Sequence, residues 1–139
     1  MSEAPAAWIG YDYALLRLVP HVHLGDFMTV GVVLQARSAD YLDLRLRLEP
    51  EAWAERFPEL DLEMALRGLE AYARVCAGGP EGGPIGLLPP SERFHWLTAP
   101  RSAVIQSSAV HGGRTRDPAA TLERIFAACV PDRPGVAPA

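Results

Sequence analysis

The sequence predicts an α+β domain: a mixed or antiparallel sheet of about five strands with two main helices, in the order β-β-β-α-β-β-α. Three observations predict it. Residues 41–49 alternate apolar and charged side chains with the two-residue period of a half-buried strand. Leu62, Leu66, Leu69, Ala73 and Cys76 recur at helical spacing. Strand-like segments come before that stripe and again after it, ahead of a second helical stripe. Strands and helices are therefore grouped along the chain and do not alternate one by one.

The first strand is Tyr11 to Val19. Tyr11, Tyr13, Leu15, Arg17 and Val19 fall on one face and Ala14, Leu16 and Leu18 on the other. Apolar groups on both faces mark a central strand, and Pro20 ends it. The second strand, Phe27 to Gln35, is rich in β-branched residues, and Gly31 inside it announces a bulge or a close backbone approach. Residues 37–40 make a short hairpin connection. In the third strand Leu42, Leu44, Leu46 and Leu48 point inward, and Asp43, Arg45, Arg47 and Glu49 point outward. The sheet is thus expected to have one helix-covered face and at least one solvated patch.

Residues 50–57 read as a short turn of helix. The first main helix has Asp61 as N-cap and Gly78-Gly79 as C-cap. The stretch 78–92, GGPEGGPIGLLPPSE, carries four Gly and two Pro in its first seven residues and reads as a long loop. Arg93–Leu97 and Ala103–Val110 read as the last two strands, with Trp96 as a core anchor. The second main helix opens at Asp117-Pro118, buries Leu122, Ile125, Phe126 and Cys129, and stops at Pro131. Residues 1–10 and 131–139 are expected to be loose tails around a single domain, 11–130.

Composition agrees with one globular domain. The chain has 139 residues, 49% of them apolar and 22% charged, which excludes general disorder. All thirteen basic residues are Arg, with no Lys and no Asn, and the pattern reads as coding bias. No apolar run approaches the roughly 18 residues of a spanning helix, so no membrane association is expected. The first residues lack the pattern of a signal peptide, and a cytoplasmic location is expected. Cys76 and Cys129 each sit on an apolar helical stripe and read as buried thiols.

Charge is uneven. Residues 1–90 hold seven Arg and thirteen acids (net −6), residues 91–116 hold four Arg and Glu92 (net +3), and residues 117–139 hold two Arg and three acids (net −1), giving −4 in all. The basic segment contains Arg93, His95, Arg101, Ser102, Gln106, Ser108 and His111, with Gly112-Gly113 beside them. Guanidinium forks match carboxylate or phosphate, and glycines let backbone N–H groups approach an anion. These residues are the candidate ligand or partner site. The competing reading is structural: the arginines pair with the acidic remainder of the fold.

Other chemistries find less support. Ser102 or Ser108 with His95 or His111 supplies a nucleophile and a base, but no acid orients the imidazole and no G-x-S-x-G is present. His21 and His23 with Asp26 nearby read as surface or loop residues, so no metal site is expected. No Walker A, Rossmann or C-x-x-C pattern occurs, and no cofactor is expected. An RNA-type platform needs several aromatics on an open sheet face, and net acidity disfavours generic nucleic-acid binding.

Three stretches resemble bacterial proteins of domain-of-unknown-function family 3037: YDYALLRLVP at 11–20, GDFMTVGVVLQAR at 25–37 and GPIGLLPPSERFHWLTAPRSAVIQSSAVHGG at 83–113. The third carries the likeness through Ser91, Arg93, Phe94, Trp96, Pro100, Arg101, Ser102, Gln106, Ser108, His111 and Gly113. The family pattern has Asn in place of Thr29 and Pro in place of Ala109. The resemblance implies no established activity, cofactor or catalytic residue. It does imply a partner with a HipA-like kinase fold. The leading expectation is a non-catalytic binding or regulatory module. The alternative is an enzyme acting on a phosphorylated small molecule or nucleotide through the Arg/His segment 91–116.

Overall fold

A computed structural model describes residues 6–21, 24–101 and 103–132. The fold is α+β, with a five-stranded antiparallel sheet and five helices. β1 (Ile9–Leu18) is the central strand. β2 (Met28–Ala36) lies along one edge of it, and β3 (Tyr41–Leu46) lies beyond β2. The other edge of β1 is shared. Its second half pairs with β4 (Ile105–Ser107) and its first half with β5 (His111–Thr115).

β1 is buried on one face and half-buried on the other, because its side chains are largely apolar on both. Ala14, Leu16 and Leu18 join Met28, Val30 and Val33 in the larger core. That core is closed by α1 (Pro50–Arg56), α2 (Leu62–Ala77) and α4 (Pro90–Thr98), which contribute Trp53, Leu69, Tyr72, Phe94 and Leu97. On the opposite face Val32 and Leu34 meet Leu122, Ile125 and Phe126 of α5 (Pro118–Cys129). The sheet therefore carries helices on both faces, which corrects the expectation of one covered face. The reason lies in α5, whose stripe packs on the surface expected to be solvated. Arg45 and Arg47 keep their charge outward, in ion pairs with Glu123 at 3.0 Å and Asp132 at 3.1 Å, while their guanidinium groups lie over Phe126.

Gly31 produces both features expected of it. The register passes from Leu16↔Gly31 to Arg17↔Thr29, leaving Val30 as the extra residue of a bulge. A Cβ on Gly31 would lie 2.6 Å from Leu46 Cδ2 and 2.7 Å from the Arg45 carbonyl oxygen, so no side chain fits under β3. The hairpin at 37–40 closes with Asp40 at φ 51, a left-handed position that Asp tolerates.

Several expectations are corrected. Residues 93–97 form part of helix α4, not a strand; Pro90 opens it as a first-turn proline, and Phe94 and Leu97 are its buried positions. Trp96 is only half-buried. The expected loop at 78–92 folds into a 3-10 turn at Pro80–Gly82, the single turn α3 (Gly83–Gly86) and the start of α4. The expected strand 103–110 is shortened to β4, and β5 follows at Gly112-Gly113, where no strand was expected. The element order is thus β-β-β-α-α-α-α-β-β-α. On α2 the buried face is Ala65, Leu69, Tyr72, Val75 and Cys76, and Ala73 is exposed. Leu48 lies past the end of β3 and is 47% exposed.

Candidate functional site

The first turns of α4 lean over the end of the sheet where β1 and β2 begin and finish. Between them lies a cleft of about 790 Å³. Its floor is the sheet: Asp12 of β1, Gln35 of β2 and Arg37 just after β2. Its wall is α4 and the residues before it, with Leu88, Ser91, Glu92, Phe94 and His95, and Val110 closes one side. A smaller hollow of about 250 Å³ adjoins it, sharing Gln35, Arg37 and Ser91 and reaching Asp40 and Tyr41.

The charged side chains of the cleft form no ion pairs among the described residues: none reaches Asp12, Arg37, Glu92 or His95. Gln35 is only 7% exposed, and its Oε1 is buried without a hydrogen-bond partner. Buried polar atoms are rarely left so. The Tyr41 hydroxyl at the smaller hollow is pushed up to about 12, first by burial and then by the negative charge of Asp43. It stays protonated and can donate at neutral pH.

The two arginines expected to meet a ligand face inward. Arg93 donates from Nη1 to the Val75 and Cys76 carbonyls at 3.1 and 2.6 Å, and from Nε to Leu88 at 2.9 Å. It thereby closes the carboxyl end of α2, where the helix leaves carbonyls unpaired. Gly78 ends that helix at φ 81, and a Cβ there would lie 2.9 Å from Arg93 Nη1. Arg101 performs the same service for α4, donating to the Trp96 carbonyl, with the Tyr72 hydroxyl as a further acceptor. Cys76, beside the Arg93 clamp, is pushed up to about 12, mainly by burial.

A family described as a protein of unknown function, DUF3037, matches residues 13–130 of the chain. The chain belongs to this family. No curated protein and no solved structure matches it.

In this DUF3037 member the motif-bearing segment is largely architectural. Ser108 is buried; its Oγ accepts from the Leu15 amide at 2.9 Å and donates to the Ala109 carbonyl, tying the chain between β4 and β5 to β1. Gln106 donates from Nε2 to the Ala103 carbonyl at 2.9 Å. His111 is exposed and lies opposite Tyr13 on the α5 side of the sheet, the two rings 5.5 Å apart. Ser102 lies outside the described residues. Of the six candidates among the described residues, the structure brings His95 alone into the cleft.

Sequence reasoning missed Asp12, Gln35 and Arg37. A signal existed for two of them. Asp12 continues, at period two, the core face of Ala14, Leu16 and Leu18, and Gln35 breaks the apolar run of β2. A polar residue on a core face asks for a partner or a function. His21, read as a surface residue, lies 3.1 Å from Glu59, and Asp26 pairs with Arg56 at 3.3 Å; His23 lies outside the described residues. Among the described residues no group of three or more His, Cys, Asp or Glu could hold a metal, and no helix is long and apolar enough to cross a membrane.

Proposed function

We propose that the domain is a non-catalytic binding or regulatory module whose ligand seats in the cleft between α4 and the β1–β2 end of the sheet. One observation carries the reading: Gln35 keeps a buried, unpartnered side-chain oxygen where it lines that cleft. An unsatisfied buried acceptor costs about 1–3 kcal/mol, and a ligand that supplies a donor recovers it. The volume of about 790 Å³ is that of a small-molecule site, and the lining mixes apolar walls with a few polar groups. Leu88 and Val110 on the lining, and Leu87 beside them, are exposed apolar residues, a surface suited to a protein partner. A HipA-like kinase-fold protein is the partner that the family resemblance implies.

The second reading, an enzyme acting on a phosphorylated small molecule or nucleotide, draws on His95 in the cleft with Arg37 at its edge. Arg93 and Arg101 are committed to carbonyls. A screen of small metabolites against isotope-labelled protein tests the binding reading. Compounds that shift the amide resonances of Gln35, Arg37 and His95 are expected. Shifts confined to other surfaces, or none, overturn it. Turnover of a phosphorylated compound, abolished by His95→Gln, would establish the second reading instead.

A further inference from the structure

The polar floor of the cleft specifies a class of ligand, an inference that rests on the binding-module reading. Asp12 and Gln35 are direct cross-strand partners, which places their Cβ atoms about 4.5–5.5 Å apart. Arg37 follows two residues after Gln35, where β2 passes into the 3-10 turn. The floor therefore runs carboxylate, amide, guanidinium, and all three groups line one cleft. No side-chain hydrogen bond or ion pair engages any of them among the described residues.

Each group asks for a definite complement. A carboxylate and an amide oxygen are both acceptors, and standing side by side they call for a cation rich in N–H donors. Arg37 presents only donors and calls for an anion, best a planar carboxylate. A purely anionic ligand would face Asp12 and Glu92, and a purely cationic one would face Arg37. Leu88, Phe94 and Val110 offer apolar surface above the floor.

We propose that the cleft binds a zwitterionic α-amino acid with an apolar side chain. Its ammonium group donates to Asp12 and to the Gln35 oxygen, its carboxylate accepts from Arg37, and its side chain lies against Leu88, Phe94 and Val110. The Gln35 oxygen is covered in the free protein, but a terminal amide torsion is soft, and a turn of the amide presents the oxygen to the arriving ammonium.

Calorimetric titration with L-leucine, N-acetyl-L-leucine and L-leucinamide tests the assignment, with amide resonances reporting where each binds. L-leucine should bind and shift Gln35 and Arg37. The acetylated compound lacks the ammonium and the amide lacks the carboxylate, so each should bind at least about tenfold more weakly. Asp12→Asn should weaken L-leucine by a similar factor with its unfolding midpoint preserved, since Asp12 has no structural partner to lose. Derivatives that bind in the cleft as tightly as L-leucine overturn the zwitterion assignment and leave the binding module standing. Absence of L-leucine binding overturns it too, and the wider metabolite screen then decides separately whether the cleft binds anything.

Discussion

Arg101 donates a hydrogen bond to the carbonyl of Trp96 at 2.5 Å and lays the same guanidinium over that residue's ring, 4.4 Å from its centroid. Its other terminal nitrogen donates to the Tyr72 hydroxyl at 2.9 Å, and the Tyr72 and Trp96 rings stand 5.5 Å apart. One side chain thus joins the end of α4 to the middle of α2. The stiffness of the Pro100 turn holds Arg101 in place for this task.

Arg101→Ala should lower unfolding free energy by about 1–3 kcal/mol, the scale of hydrogen bonds to charged groups. Arg101→Lys should recover only part, because an ammonium cannot replace a planar fork that serves several acceptors and stacks. Denaturant titration checks both: the midpoint moves while the slope stays. An unmoved midpoint would return Arg101 to the binding surface.

Arg93→Ala should cost a similar amount, about 1–3 kcal/mol, because three carbonyls lose their donor. Its effect should also be local. Hydrogen exchange is the discriminating measurement, with faster exchange expected from Gly78 to Leu88, the segment that Arg93 pins to α2, and little change in β2.

Much of the fold is legible in the sequence where one period runs long enough. The alternation at 41–46, the Asp61 and Asp117 caps and the Gly31 irregularity all appear in the structure. Helix α4 is not legible in the sequence because Phe94 and Trp96 mimic strand alternation over five residues, and paired prolines suit a loop as well as the helix start that Pro90 makes. The cleft is harder still. Asp12 and Gln35 become neighbours only through the bulge at Val30. The pairing beyond it, Arg17↔Thr29, continued without a bulge would set Asp12 against Leu34. Gly31 signals an irregularity, but which residue is extra, and hence that Asp12 faces Gln35, is decided by the pairing of the two strands and by no local pattern.

Gly31→Ala should therefore disturb more than stability. The new methyl meets a backbone carbonyl at 2.7 Å, so β2 and β3 must move apart. A loss of about 1–3 kcal/mol is expected, the usual range for overpacking. Binding in the cleft should weaken as well, since the bulge positions Gln35 against Asp12. A thermal melt and the L-leucine titration, run on the same sample, check both effects.

Alkaline pH should unfold the protein through its buried acids. Cys76 is raised from 9.0 to about 12 and Tyr41 from 10.0 to about 12, both chiefly by burial, and Tyr72 is raised as well. Between the unfolded and folded values the native state holds more protons than the unfolded one, so stability falls as pH rises. It should be level below about pH 9 and decline from there toward about 12. Cys76→Val removes the lowest of these titrations and should shift the onset of the decline upward by about one unit, toward the tyrosine range. Urea melts at a series of alkaline pH values measure the slope, and an unchanged onset in the variant would remove Cys76 from the account.

Gln35→Met separates stability from function most directly. Methionine matches the length and volume of glutamine and has no strong hydrogen-bonding group to strand. The surroundings of Gln35 are those of a core strand, with Leu42 directly across on β3 and Val33 one step along the same face. Replacing an unpartnered buried amide there by an apolar isostere should raise stability by about 1 kcal/mol, since the unsatisfied acceptor disappears and packing survives. The same change removes the acceptor that the cleft offers beside Asp12, so affinity for L-leucine should fall. A stability gain accompanied by a binding loss is the signature of a residue retained for its ligand. A stability loss would mean that the Gln35 amide has a bonding role within the fold, and the binding reading would then lose the observation that carries it.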